Sequence, residues 1–142
     1  MKRSLRLGRI VRLSNVAEQR AAMAMARTES ELNGLDAQRH ELRQYQSEYL
    51  KRLGAGTTNT VAGYEAQKVQ VFVQRIEGAI VALERKIAGL RKRLSRERQL
   101  WLDQQRRRKV VGDIAGRVRR AEVRAVESNL QREIDDRPRP LS

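Results

Sequence analysis

The 142-residue chain contains no cysteine, and proline occurs only at Pro138 and Pro140. The first absence excludes disulfides and thiolate metal sites and gives no support to an oxidising, exported destination. The second leaves the chain before Pro138 without the residue that most strongly breaks helices. Aromatic residues make up only 4% of the chain, against 34% charged, too few large side chains for an ordinary globular core. No apolar run approaches the ~18 residues that would span a bilayer. The basic start also lacks the unbroken apolar stretch of a signal peptide, since Arg6, Arg9 and Arg12 interrupt it. These features point to a cytoplasmic protein of a single domain.

What is present is helical periodicity. Val69, Val73, Ile76, Ile80, Leu83, Ile87, Leu90 and Leu94 recur at alternating three- and four-residue steps. That is the seam of a coiled coil, and such a stripe on a charged helix must be covered by another helix. Leu7, Val11, Ala21, Met25, Thr28, Leu32, Leu35, Leu42, Tyr49 and Leu53 keep the same spacing, with Ser14, Glu18, Arg39 and Gln46 as polar interruptions. The expected fold is all-α: two long helices in an antiparallel coiled-coil hairpin, the second longer. Helix 1 is expected over about 5–53, a loop over 54–60, helix 2 over about 61–136 and a tail over 137–142. Two glycines, Gly54 and Gly56, stop the first helix, and Thr60 can cap the second. At ~1.5 Å per residue the helices would measure roughly 73 and 114 Å, so the second overhangs the first beside the termini. Past Leu94 the seam weakens: Glu97, Gln104 and Arg108 take core-type positions. The apolar stripe is expected to drift to Val111, Ile114, Val118, Ala121, Ala125 and Leu130.

The net charge of +14 is unevenly spread. Residues 1–27 carry seven Lys/Arg and one Glu, and residues 91–120 carry twelve Lys/Arg and three Asp/Glu. Hairpin folding brings these segments together into a basic base suited to an acidic surface or a polyanion. Toward the loop, Gln38, Leu42, Tyr45 and Tyr49 form one helical stripe and Phe72, Ile76, Ala79 and Leu83 another. Pairing 38 with 83, 42 with 79, 45 with 76 and 49 with 72 sets the stripes level. Two readings remain open: the stripes fill the interhelical seam, or part of them forms an exposed groove for a partner.

The chain resembles the FliJ family, a small component of the bacterial flagellar type III export apparatus. The resemblance rests on the basic start from Lys2-Arg3 to Leu13, on Tyr45-Gln46-Ser47-Glu48-Tyr49, and on the Gly-containing loop. It continues through Phe72-Val73-Gln74-Arg75-Ile76-Glu77-Gly78-Ala79-Ile80, Trp101 within a basic helix, and Asp135-Asp136. It implies a non-enzymatic stalk-like hairpin, similar to the central stalk of rotary ATPases, that serves motility. The implied partners are a hexameric export ATPase and the cytoplasmic domain of the membrane export gate; chaperone recycling is also attributed to the family. On this sequence the gate-binding surface would comprise Gln38, Leu42, Tyr45, Tyr49, Phe72, Ile76, Ala79 and Leu83. The ATPase-facing end would comprise Arg6, Arg9, Arg12, Trp101, Arg106, Arg107, Arg108 and Lys109. The protein would then be cytoplasmic, associated peripherally with the inner membrane at the export apparatus, and a monomer when isolated.

No catalytic residue, cofactor or metal is expected. His40 is the only histidine and has no second ligand at i+4. Glu29, Glu31, Asp36 and Glu41 read as a solvated helical face, because paired catalytic carboxylates need a concave site. Gly54-Ala55-Gly56 lacks the lysine and spacing of a phosphate loop. Three alternatives stay open: the equivalent stalk of an injectisome type III system, a basic nucleic-acid-binding arm, and a self-assembling filament or dimer. Against the nucleic-acid reading, Trp101 is the only aromatic set among the arginine clusters.

Overall fold

The computed structural model describes residues 2–55 and 62–137. Two helices account for nearly all of them: α1, Lys2–Ala55, and α2, Ala62–Asp136. Most of the loop expected over 54–60, and the tail beyond Arg137, lie outside the described residues. The second helix is the longer, at 75 residues against 54. The chain divides into two compact units, Met1–Met23 with Gln99–Ser142, and Ala24–Arg98.

In the Ala24–Arg98 unit the helices pack antiparallel along the seam that the heptads define. Ile80 and Ile87 are 1% exposed; Leu32, Ile76 and Leu94 are also buried. Leu32, Ile87 and Leu94 form the centre, with Met25, Leu35 and Leu90 packed against it. Burying a β-branched or leucine side chain contributes about 1.5–3 kcal/mol relative to leaving it in water. A few such layers therefore outweigh the modest helix propensity of the polar faces. Near the far end of this unit the Tyr49 and Phe72 rings meet edge to face, centroids 4.7 Å apart. Farther back, Gln46 Nε2 donates to Glu77 Oε2 at 2.7 Å, and Arg43 pairs with Glu84.

One layer of this seam is polar. Thr28, 2% exposed, places its hydroxyl 2.8 and 2.9 Å from the two carboxylate oxygens of Glu97 and 3.2 Å from the Ala24 carbonyl. Arg93 Nε donates to the same carboxylate at 2.8 Å. The Glu97 side chain is only 14% exposed, so its charge is held by these two donors rather than by bulk water. A polar pair at a seam position costs stability but penalises slipped registers, which would strand the carboxylate in an apolar layer.

In the Met1–Met23/Gln99–Ser142 unit the pairing is again antiparallel, but the seam is thinner. Ala21 and Ser14 are its buried members, and the Ser14 hydroxyl turns back to the Ile10 carbonyl at 2.8 Å. On α2 the half-buried positions are Trp101, Gln104, Gln105, Val111, Ala115, Gly116, Val118 and Glu122. The expected drift through Ile114, Ala121, Ala125 and Leu130 does not occur: all four are exposed. The heptad simply continues through small and polar residues, because backbone geometry holds the facing stripe in place even where its side chains are poor. Ser4 hydrogen-bonds Glu122 and holds its carboxyl below the usual carboxylate range. Beyond Glu122 every described residue of α2 is exposed, which is the expected overhang.

Thr28→Ala should leave the Glu97 carboxylate short of a donor and lower stability by about 1–3 kcal/mol. The paired change Thr28→Val with Glu97→Leu should recover or exceed the starting stability, read by thermal unfolding. It should also raise the fraction of mis-registered species detected by cross-linking.

Candidate functional site

Two surfaces concentrate the residues singled out by sequence, one in each unit. In the Ala24–Arg98 unit, the heptad turns Ile76 inward, where it is 6% exposed, while Leu42, Tyr49 and Leu83 sit half-buried at the seam margin. Gln38, Tyr45, Phe72 and Ala79 face outward, Tyr45 at 54% and Phe72 at 43% exposure. The set therefore divides: one member belongs to the core, three form the margin, and four are available at the surface. Tyr49 joins the two groups, since its ring supports Phe72 on one side and carries the Arg52 guanidinium 5.4 Å from its centroid.

Phe72 also borders a shallow groove of about 380 Å³ lined by Tyr64, Gln67, Lys68, Val71 and Arg75. The Lys68 ammonium lies 4.5 Å from the Tyr64 ring centroid. Tyr64 and Val71 were not among the residues expected from sequence. Their signal was present: Tyr64, Lys68, Val71 and Arg75 recur at four-, three- and four-residue steps, outside the seam stripe. The resulting surface is apolar at its centre and cationic at its edge, the composition of contact sites built on aromatic anchors.

In the other unit, Arg6, Arg9, Arg12, Arg106, Arg107 and Lys109 are exposed. Arg106 approaches Asp103 at 4.0 Å but keeps three quarters of its side chain in solvent. Arg108 behaves differently. It occupies the seam position and, though its own side chain is 44% exposed, forms a close ion pair with Glu18 on α1, whose side chain is 17% exposed. Trp101 is half-buried one heptad earlier. A small groove of about 200 Å³, lined by Ser4, Gly8 and Val11 of α1 with Gly112, Ala115 and Arg119 of α2, lies in the same unit.

No group of three or more His, Cys, Asp or Glu side chains stands together among the described residues, and no described helix is long and apolar enough to cross a membrane. Convex helical surfaces with aromatic and cationic patches define a coiled-coil binding protein. The family model for the flagellar FliJ protein matches residues 1–138, so the chain belongs to the FliJ family and is a component of the flagellar type III export apparatus. Neither the curated proteins nor the solved structures yield a match.

The different settings of adjacent arginines can be measured. Arg108→Glu should place a second carboxylate against Glu18 and lower stability by about 1–2 kcal/mol in thermal unfolding. Arg106→Glu and Arg107→Glu, on exposed positions, should change it by less than about 0.5 kcal/mol.

Proposed function

We propose that the protein is a non-enzymatic stalk that couples a hexameric export ATPase to the membrane export gate. The observation that carries this reading is the division of one family member's surface into two chemically distinct patches. One is aromatic and apolar, around Tyr45, Tyr49 and Phe72; the other is basic, around Arg6, Arg9, Arg12, Arg106, Arg107 and Lys109. The aromatic patch, with Gln38, Leu42, Ala79 and Leu83 at its margins, engages the gate. Ile76 contributes by supporting the patch from beneath. The basic patch, with Trp101 beside it, approaches the ATPase, and Arg108 holds that part of the hairpin together. Chaperone escort is a further role of the same surfaces. Through these contacts the protein sits in the cytoplasm, peripherally at the inner membrane.

Tyr45→Ala with Phe72→Ala should abolish gate binding and motility while moving the unfolding midpoint less than a core substitution does, because Tyr45 and Phe72 are 54% and 43% exposed. Ile76→Ala should instead cost about 2–5 kcal/mol, as for other buried large-to-small changes. Gate binding that survives the double aromatic substitution would remove the patch from the mechanism.

For the basic patch, Arg106→Glu, Arg107→Glu and Lys109→Glu together should eliminate ATPase stimulation and leave folding intact. Binding of the unaltered chain should weaken steeply between 50 and about 300 mM salt, since the Debye length falls to ~8 Å near physiological ionic strength. Sub-micromolar binding to duplex nucleic acid at physiological salt, with none to the ATPase, would replace this reading with a nucleic-acid-binding arm.

A further inference from the structure

The back of α1, away from α2, carries a pattern that the hairpin does not use. At about 100° per residue, an arc of about 120° centred opposite the seam collects eight residues of the 3–23 stretch. Four are arginines: Arg6, Arg9, Arg12 and Arg20. The other four are apolar: Leu5, Leu13, Val16 and Met23, exposed by 67, 69, 43 and 56%. No acidic and no neutral polar residue falls in the arc. The one acidic residue of residues 1–23, Glu18, points the opposite way, where Arg108 pairs with it. None of the four arginines has an ion-pair partner among the described residues.

We propose that this outer face of α1 binds the surface of an anionic lipid bilayer. The guanidinium groups would lie at the headgroup phosphates, and Leu5, Leu13, Val16 and Met23 would enter the boundary between headgroups and acyl chains. Charge selects an anionic occupant, and shape selects a bilayer over a protein. The arc is convex and one helix wide. At ~27 Å long on a cylinder ~11 Å across, it offers roughly 300 Å², well short of the ~800 Å² per partner of a standard protein interface. A bilayer needs no such area or register. It gathers its affinity from several cations near a negative surface and a few inserted apolar side chains, and long arginine side chains reach phosphate while their stems stay among apolar neighbours. The proposal does not rest on the ATPase reading, because Leu13, Val16, Arg20 and Met23 lie outside the surface assigned to the ATPase. Lipid and ATPase would exclude one another at Arg6, Arg9 and Arg12.

The absence of cysteine allows a single label on the full chain. An environment-sensitive fluorophore is placed at Leu13→Cys or, on the far side of the helix, at Asn15→Cys. Each is titrated with phosphatidylglycerol-containing vesicles and with pure phosphatidylcholine vesicles. The label at 13 should shift to the blue with the anionic vesicles only, and the label at 15 should not. In co-sedimentation, Leu13→Gln with Val16→Gln should cut partitioning about tenfold or more, and Arg20→Gln about fivefold, the effect of one cation near a charged bilayer. ATPase binding by these variants should be unchanged, which separates failure of this proposal from failure of the stalk reading. Equal responses at 13 and 15, or unchanged partitioning of the Gln variants, would mean that net charge alone draws the chain to the vesicles and would overturn the proposal. So would protection of position 13 by an acidic helical peptide when vesicles give none.

Discussion

A seam one side chain wide governs the rest of this molecule. Two helices can shield only the stripe each turns toward the other, and everything else faces water. Among the described residues six hydrophobic side chains are buried, while nineteen large ones are exposed. An exposed leucine is therefore no evidence of a binding site here, as it is an unavoidable product of the architecture. What carries information is arrangement. Phe72, Tyr64 and Val71 line one groove, and the Tyr49 ring supports Phe72 there. The same constraint leaves little room for a concave site, because a convex surface in full solvent does not desolvate a substrate.

The polar layers show how such a thin seam can still specify one structure. Apolar layers alone tolerate a one-heptad slip, since one leucine replaces another. Thr28 and Glu97 do not, because their hydroxyl and carboxylate must find each other or go without. In the other unit, Glu18 and Arg108 impose the same requirement with an ion pair. The Gln46–Glu77 hydrogen bond between the helices adds a smaller penalty of the same kind. Stability and specificity are thus supplied by different residues, isoleucines and leucines for the first, and the polar interruptions for the second.

Much of this was legible in the sequence. The heptad stripe from Val69 to Leu94, and the stripe containing Leu7, Val11, Ala21 and Leu32, name the inward-facing positions, because a 3.5-residue repeat admits one facing line. Level pairing of residues 49 and 72 was also legible, and the two rings touch. The failures have physical causes. Past Leu94 the apolar residues point to Ile114, Ala121 and Ala125, whereas the helix keeps its repeat and turns Val111, Ala115 and Val118 inward. Ile76 and Tyr45 were grouped because they are level, yet one is buried and the other exposed. Level placement fixes height along the helix axis and says nothing of rotation about it. Arg108 takes the core-type position that its spacing gives it and pairs with Glu18, while one residue of helix is 100°, enough to leave Arg107 and Lys109 on the surface.

The two surfaces differ in the physics of contact as well as in composition. An exposed guanidinium cluster acts over a Debye length, so it steers encounter and sets how often a partner arrives, and it weakens with salt. A ring pair such as Tyr49 and Phe72 acts only at van der Waals distance. It contributes to how long a partner stays, and salt affects it little. Arrival and residence are the two quantities that such surface patches can vary. Dividing them between separate residues lets rapid, salt-sensitive encounter and slow, fit-controlled release be adjusted independently. That separation is possible because the seam already satisfies the buried groups of the fold, which leaves Tyr45 and the outward Arg6, Arg9 and Arg12 outside its core.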